Sequence, residues 1–423
     1  MNKTYDVIVV GGGTSGVSAA YTAAKMGLSV LVVEKNVHLG GTITSGLVIP
    51  AMKTNDEDIN TEFYNDLVKY SARFGAQNTY SDGNPGWFNP ELLKIVLDSM
   101  LTDVGVDILY STCFDSISVL DNGYFKLLCT SEMLSICFVL KYVVDSSGNG
   151  KLFQSLGAKF LNCEKKSQAV TLRFTMANVD LKTFSDWILE VDSNRLVTSA
   201  QFTDSQIHLS TACTWDSSGN WALRPIFDKA VSNGDLKLED TAYFQVFTIP
   251  GMPTSIAFNC PRIPVEDSCD VSDPYIRSKA LIKGREQIFR LSKFCNKYFP
   301  GFENAYISNI ADMLGIRESG RFEGKYVYTE KDIINKTKFD EPVLSSDYPI
   351  DIHSNQKDMS RLEYVKGNYY LPIEALMSKD YDNLFGIGRC VSASFAAQAA
   401  LRIQPSCFSM GEAVAKYIKK KEG

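Results

Sequence analysis

The 423-residue chain lacks the residue patterns from which several common sites are built. It has three histidines, His38, His208 and His353, no H-E-x-x-H, and no His/Cys pairing at ligand spacing, so no metal centre is expected. Its ten cysteines include no C-x-x-C, which removes the dithiol and zinc-ribbon readings. In a chain of this length they read as buried free thiols rather than a disulfide framework. No G-x-S-x-G occurs to support a serine hydrolase. Gly148-Asn149-Gly150-Lys151 lacks both the earlier glycine and the following Ser/Thr of a Walker loop. There is no basic excess: 43 Lys+Arg stand against 49 Asp+Glu, a net charge of −6, which argues against nucleic acid as a partner. The longest apolar run, Leu134 to Val144, is too short for a membrane span and contains Lys141. Met1-Asn2-Lys3-Thr4 leads straight into an apolar segment with no cleavage-site pattern, so the expectation is a reduced, cytoplasmic protein. With 45% hydrophobic and 22% charged residues the chain is expected to fold, as two or three structural units.

What is present begins at Tyr5. Tyr5 to Val10 is a nearly continuous, β-branched apolar run, the pattern of a strand buried on both faces of a parallel sheet. Gly11-Gly12-Gly13-Thr14-Ser15-Gly16 follows as G-x-G-x-x-G, then an alanine-rich helix from Val17 to Lys25 that Gly27 stops. Leu28 to Val33 is a second apolar strand, and it ends in Glu34. The glycines serve different ends. Gly11 permits the tight turn, Gly13 lets backbone approach a pyrophosphate closely, and Gly16 allows the helix to pack on the strand. Glu34 stands where a carboxylate accepts hydrogen bonds from a ribose diol. The complete strand–turn–helix–strand–acid unit predicts a dinucleotide site and leaves NAD or FAD open.

The next residues bear on that choice. Glu34-Lys35, Gly40-Gly41-Thr42 and Ser45-Gly46-Leu47 resemble the E-K-x-x-x-x-G-G-T-x-x-S-G-L loop of FAD-dependent oxidoreductases with a glutathione-reductase-like fold. Val144-Asp145-Ser146-Ser147-Gly148 resembles that family's V-D-A-T-G turn, with serine at both middle positions. Asn383-Leu384, Gly388-Arg389 and Ser392-Ala393 resemble N-L-x-x-x-G-R-x-x-S-A; Arg402-Ile403-Gln404-Pro405-Ser406-Cys407 and Gly411-Glu412-Ala413 follow in the family's order. The resemblance implies a noncovalent FAD contacted by Gly11, Gly13, Thr14, Ser15, Gly16, Glu34, Lys35, Gly40, Gly41, Thr42, Ser45, Gly46, Phe114, Ser147, Gly148, Gly388, Arg389, Gln404 and Pro405. It also implies a C-terminal helix whose N-terminus faces the flavin pyrimidine ring, where the helix dipole favours negative charge at N1. Two departures stand out. Phe395 replaces a residue that is often histidine and cannot move a proton, and Gly320 interrupts Gly315-Ile316-Arg317-Glu318-Ser319-Gly320-Arg321, which otherwise resembles G-I-R-E-S-R-R.

The implied fold class is α/β: a Rossmann-like FAD-binding domain with a parallel sheet, plus an inserted α+β substrate or cap domain. The expected division is 1–160 and 371–423 for the first, 161–370 for the second. Within the first, a helix is expected near Pro90 to Leu101, a strand over Asp107 to Tyr110, and a hairpin turn at Asp121-Asn122-Gly123. Within the second, Ala169 to Met176 alternates as one strand and Asp273 to Tyr298 reads as a helix ended by Pro300-Gly301. Trp215, Trp221, Tyr243 and Phe247 are candidates to line an apolar pocket, with core packing as the default.

Arg317 and Arg321 are the candidate catalytic residues. At i, i+4 they would share a helix face and grip an anionic substrate; the bland alternative is salt bridges to neighbouring acids. Arg389 and Arg402 divide evenly between contact with flavin or substrate and structural pairing. The reaction expected is hydride transfer between a small organic substrate, with an anionic group as its handle, and flavin N5. The insertion is expected to cover the flavin face with a sheet and helices; the alternative is that it only buries core and helps a homo-oligomer form. No second G-x-G-x-x-G or redox cysteine pair supports a disulfide reductase. The rival classes are a flavin-binding accessory protein without turnover and an NAD enzyme lacking flavin.

Overall fold

Four consecutive fully buried residues make β1 (Val7–Val10), the centre of the computed structural model. The structure describes residues 4–54, 57–161, 168–203, 206–214, 221–265, 271–354 and 360–423. After β1 come α1 (Thr14–Lys25) and β2 (Val30–Val33), parallel to β1 in a register that sets Val7 beside Val30. Two helices, Glu62–Arg73 and α2 (Pro90–Asp103), precede β3 (Asp107–Leu109), which pairs with β2. Asn89 caps α2 by accepting from the backbone of Glu91 and Leu92. A three-stranded meander follows, with Gly123 at φ +79° in the expected turn. The long apolar run is two strands rather than one, since the meander ends at Leu140 and β4 (Tyr142–Asp145) begins after Lys141. β4 lies on the other side of β1, and Leu384–Gly386 adds the outer strand beyond it. The five strands are parallel, and the order reverses between β1 and β4, the crevice where open α/β sheets bind ligands.

The C-terminal helix Gln404–Glu422 packs along α1. A Cβ at Gly411 would collide with the Ser15 carbonyl, and the Ser18 hydroxyl donates to Phe408 O at 2.6 Å, so the two helices touch backbone to backbone.

The intervening chain builds a second layer. The expected strand Ala169 to Met176 is broken in two: Val170–Thr171 pairs with Arg262–Ile263, and β5 (Phe174–Ala177) joins a different sheet. The break has a physical cause. Thr171 and Gly315 exchange backbone hydrogen bonds, whereas Phe174 pairs with Ile310, so the chain changes partners across Leu172 and Arg173. With β6 (Thr198–Phe202), β7 (Ile207–Thr214), β8 (Tyr243–Ile249), β9 (Met252–Phe258) and β10 (Tyr306–Ile310), β5 forms a six-stranded antiparallel sheet ordered β6-β7-β8-β9-β5-β10.

Alternation decides what each face of that sheet does. Phe244, Val246, Ile256, Phe258, Phe174 and Met176 enter one core cluster, closed by Ile288, Leu291 and Phe294 of the helix Pro274–Tyr298. Burying each such side chain stabilises the fold by roughly 1.5–3 kcal/mol. That helix starts as expected, with Asp273 accepting from Tyr275 N, and gives way to Gly301 at φ +88°. Trp221 packs on Phe227 and Phe244 in this core rather than lining a pocket, and Trp215 lies outside the described residues. The opposite face, with Tyr243, Gln245, Phe247 and Ile249 of β8, looks toward the parallel-sheet layer: Phe247, Ile249 and Ala257 pack on Ile49 and Trp87. Further on, Tyr328, Ile333, Val343, Leu344, Ile350, Tyr369 and Leu371 share the core cluster of β1 and α1, so the core runs across the expected boundary at residue 371.

Candidate functional site

The glycine turn lies at the crevice between β1 and β4. Gly11 takes φ +102°, and a Cβ there would sit 2.5 Å from Ser146 O. A Cβ on Gly16 would fall on the Gly11 carbonyl. Both glycines are demanded by the protein's own packing. Gly13 is not: its φ of −76° suits any residue, and a Cβ there would have only Gly41 Cα near it, at 4.0 Å. A side chain there would enter open space beside the turn. The first turn of α1 has no side-chain cap and no acidic residue, so its N–H groups and partial positive charge are available to a phosphate.

The second loop folds over this turn. Gly40 N donates to Gly12 O at 2.8 Å, and Thr14 Oγ1 lies 3.2 Å from Thr42 Oγ1. Gly41 at φ +53° brings its would-be Cβ to 3.0 Å from Gly13 Cα. Glu34 is buried at the tip of β2; Oε2 accepts from Gly12 N at 2.7 Å, Oε1 from Asn36 N at 2.9 Å and from Asn36 Nδ2 at 2.7 Å. The carboxylate is thus fixed, with one lone pair, on Oε2, left for a sugar hydroxyl. Lys35 is exposed beside it. His38 approaches Ser45 Oγ at 3.3 Å, and burial lowers its pKa, which holds it neutral within the loop. Met313 N donates to Ser45 O, and Gly46 is crowded against Thr42 O, where a Cβ would be at 2.8 Å.

The remaining motif residues assemble around the same turn. Ser146 Oγ is 2.9 Å from Ser15 Oγ, and Ser147 Oγ donates to Asp145 Oδ1 at 2.7 Å. Asp145 is fully buried, and burial raises its pKa while its hydrogen bonds oppose the rise. Gly388, at φ +77°, lies so close to Ser15 that a Cβ would be 2.7 Å from Ser15 Oγ. Gln404 Nε2 donates to Val48 O at 2.6 Å, and Pro405 follows in the first turn, so the C-terminal helix begins against the loop. Arg389 is consumed by protein acceptors: Nε by Gly148 O and Ser319 Oγ, Nη1 by Ile316 O, Nη2 by Asn149 Oδ1. Phe114 lies in the three-stranded meander opposite Cys129, packed on the cluster of Val33 and Leu127. Phe395 is buried at the start of a short helix capped by Ser394.

The helical premise for Arg317 and Arg321 is corrected. No helix covers residues 315–320, and Arg321 opens the short strand Arg321–Phe322. The segment's polar groups are taken elsewhere: Gly315 by Thr171, Arg317 O by Gln398 Nε2, Ser319 Oγ by Gly148 O. A Cβ on Gly320 would press on the Phe160 ring at 2.9 Å. Arg321 is 1% exposed, with Nη1 donating to Ala393 O at 2.6 Å and Glu318 at 3.5 Å from Nη2.

Arg317 instead meets partners distant in sequence. Arg173 Nη1 donates to Leu47 O at 3.1 Å, which sets it beside the flavin-type loop. Arg402 Nη2 donates to Asp351 O at 2.9 Å and to Asp351 Oδ2 at 3.2 Å; Tyr348 OH reaches the same Oδ2 at 3.1 Å. His353 Nε2 is 3.0 Å from Asp351 Oδ2, and Arg262 Nη2 donates to His353 Nδ1 at 2.8 Å, which fixes a neutral ring with its proton on Nε2. Burial, then the Arg317 charge, push His353 down to about 3. Burial, then Arg402 and Arg262, lower Arg317 to about 9, and burial lowers Arg173 to about 10. Against burial, the His353 bond and the Arg402 charge hold Asp351 well below the usual carboxylate range. Sequence reasoning missed Arg173, Arg262, Tyr348 and Asp351; one available signal was an arginine inside each of the apolar runs 169–176 and 260–265. His208, by contrast, sits among Asn78 and the Tyr80 ring and away from this group's hydrogen bonds.

A parallel sheet with this glycine turn and acid-tipped second strand defines a dinucleotide-binding protein. The chain belongs to the FAD-dependent oxidoreductase family, whose sequence model matches residues 6–419. It is 42% identical over 75 residues to a digeranylgeranylglycerophospholipid reductase of Thermoplasma acidophilum, covering 17% of this chain and 19% of that protein. It is 28% identical over 159 residues to a thiamine thiazole synthase of Pyrococcus abyssi, covering 35% of this chain and 59% of the relative. The matches therefore span less than two thirds of these relatives' lengths. Among solved structures, a geranylgeranyl bacteriochlorophyll reductase-like protein of Thermoplasma acidophilum aligns over 99% of this chain and 79% of its own, at 14% identity and a TM-score of 0.47. The protein is an enzyme of this family and its cofactor is FAD, which the bare Gly13 and the uncapped α1 fit. No described helix is long and apolar enough to cross a membrane.

Proposed function

We propose that the enzyme carries out hydride transfer between a small organic substrate and FAD, with the substrate held between the loop 42–48 and the facing side of the six-stranded sheet. FAD supplies the hydride acceptor or donor at N5. The chain supplies position and electrostatics. Gly11, Gly13, Thr14, Ser15 and Gly16 would hold the pyrophosphate on α1, Glu34 would take the ribose, and Gly40 to Gly46 with Gln404 and Pro405 would line the ring.

The observation that carries this reading is the bond from Arg173 to Leu47 O. It joins the six-stranded sheet layer to the loop that resembles the flavin loop, which supports a substrate position there beside the cofactor. On the same face, Asn259 Nδ2 and Tyr243 OH both donate to Gln245 Oε1, at 2.6 and 3.0 Å, and Asn259 Oδ1 has no hydrogen-bond partner among the described residues. A buried polar network with an open acceptor suits a ligand rather than dry packing.

The test is anaerobic. Purified protein is denatured to identify the released cofactor, and the bound flavin is then challenged with a panel of hydroxy acids, amino acids and alcohols, with reduction followed by bleaching of the flavin band. Reduction by one class is expected. A flavin that no panel member reduces and that no reductant-plus-acceptor pair reoxidises with turnover would refute the reading.

A further inference from the structure

We propose that the arginine group beside Leu47 binds a small organic dianion, a dicarboxylate, gripped by Arg173 and Arg317 with Arg402 alongside. This rests on the reading that the substrate lies between the loop 42–48 and the six-stranded sheet, and it names that substrate's class.

Charge balance is the first ground. Arg173, Arg317 and Arg402 are drawn from three separate segments, and each feels the charge of at least one of the others. The carboxylate among them is Asp351, whose Oδ2 is already shared by His353, Arg402 and Tyr348. His353 is neutral and contributes nothing. Even with Arg262 left aside, three guanidinium groups around one carboxylate leave two positive charges without a counter-ion among the described residues. Like charges gathered away from bulk water are costly unless an anion joins them.

Unused hydrogen-bonding capacity is the second ground. A guanidinium carries five N–H donors. Arg317 gives one bond among the described residues, to Ala169 O at 2.6 Å, and Arg173 gives one, to Leu47 O. Both side chains are half-buried, so some of their surface remains open to a ligand. Gln168 is 3% exposed; its Oε1 accepts from His353 N at 3.1 Å, and its Nε2 has no partner among the described residues. Planar forks of paired donors match carboxylates, and two such forks match two carboxylates.

The experiment is calorimetric titration of the purified holoenzyme with malonate and succinate, with acetate and chloride as controls at constant ionic strength. A dicarboxylate is expected to bind at least about tenfold more tightly than acetate, each factor of ten being a readable step in Kd. Arg317→Gln is expected to weaken that binding about tenfold or more while leaving the ligand-free melting temperature unchanged or raised, because it removes an unneutralised charge. Should Arg317→Gln fail to fold, Arg173→Gln is read the same way. Equal affinity for acetate, no binding of either dicarboxylate, undiminished binding in the variants, or a lowered ligand-free melting temperature with intact binding would each overturn the proposal. Titration reports binding whether or not the flavin is reduced, so failure here is distinct from failure of the hydride-transfer reading.

Discussion

Gly13→Ala separates ligand-imposed glycine from fold-imposed glycine. Gly13 is the residue preceding α1, at φ −76° and ψ −170°, a conformation open to alanine. The added methyl meets no protein atom closer than Gly41 Cα, at 4.0 Å. The free protein therefore loses only the small helix-capping advantage of glycine over alanine, about 0.5–1 kcal/mol. The bound state differs, because the methyl enters the space the pyrophosphate takes. Forcing one extra methylene into a filled site costs about 1–3 kcal/mol, which corresponds to roughly 5- to 150-fold weaker FAD binding. Gly16→Ala is the contrasting variant. Its Cβ would fall on the Gly11 carbonyl and lie 2.9 Å from Ser146 Oγ, so it must displace backbone and should lower the melting temperature of the cofactor-free protein. The assays are quenching of FAD fluorescence on titration into cofactor-free protein, and thermal melting without FAD. If Gly13→Ala binds FAD with the parent affinity, or melts as poorly as Gly16→Ala, the assignment of Gly13 to the ligand is wrong.

Three further outcomes follow from the same geometry. A chain ending at residue 370 loses the strand Leu384–Gly386 and the helix that covers α1, so it should fail to give a cooperatively melting, FAD-containing protein; a stable yellow fragment would contradict the joining of the two chain ends in one domain. Arg321→Lys should cost about 1.5–3 kcal/mol of stability through loss of its buried bond to Ala393 O while the Kd for FAD stays constant, measured by denaturant unfolding and FAD titration; unchanged stability would refute a structural role. His353 takes up a proton near 6.5 in the unfolded chain but only near 3 in the native one, so the unfolded state binds more protons between those values and native stability falls as pH falls; the expected slope from this group is about 1.4 kcal/mol per pH unit, absent in His353→Gln, and an identical acid limb in that variant would refute the assignment.

The parts of the fold that were legible in sequence are those whose reasons are local. β1, the glycine turn, α1 and β2 occupy the 27 consecutive residues from Val7 to Val33, and each step is dictated by its neighbours: a β-branched run, glycines at a tight turn, an alanine-rich helix, a stop at Gly27. The helix at Pro274–Tyr298 was equally readable, since Asp273 and Pro274 start it and Pro300-Gly301 close it. The break in 169–176 was not, because the alternation of apolar residues is uninterrupted there. What divides it is a choice between partners, Gly315 and Arg262 on one side and Ile310 and Phe258 on the other, that lie about ninety to one hundred and forty residues away. Arg317 and Arg321 failed as a helical pair for the same reason. Spacing of i, i+4 places two side chains on one face only if the backbone closes its own i to i−4 bonds. Here Gln398 occupies the Arg317 carbonyl and Thr171 occupies Gly315, so the segment is spread across other elements and the two guanidinium groups part.

The arginines of the site show why residue type alone could not rank them. Arg389, Arg321 and Arg317 all stand in family-like motifs; Arg321 is buried and the other two are half-buried. Arg389 meets four acceptors, from Gly148, Ser319, Ile316 and Asn149, and so ties the β4 turn to the segment 316–319 and to its own. Arg321 meets a carbonyl and a carboxylate and pins its strand. Arg317 meets one carbonyl, repels Arg402 and Arg262, and keeps most of its donors. Arg389, with an acceptor on each of its three nitrogens, has little left to offer a ligand, and Arg321, though its buried Nε has no partner among the described residues, has a carboxylate beside it. A guanidinium that is desolvated, crowded by like charge and short of acceptors is stabilised by whatever anion arrives, and the free energy of that anion's binding comes from relieving the strain that the fold imposes in its absence. What sets Arg317 apart is therefore the balance of charge and acceptors around it, a quantity set by tertiary contacts from residues 169, 262, 351 and 402 and absent from any window of the sequence around Arg317.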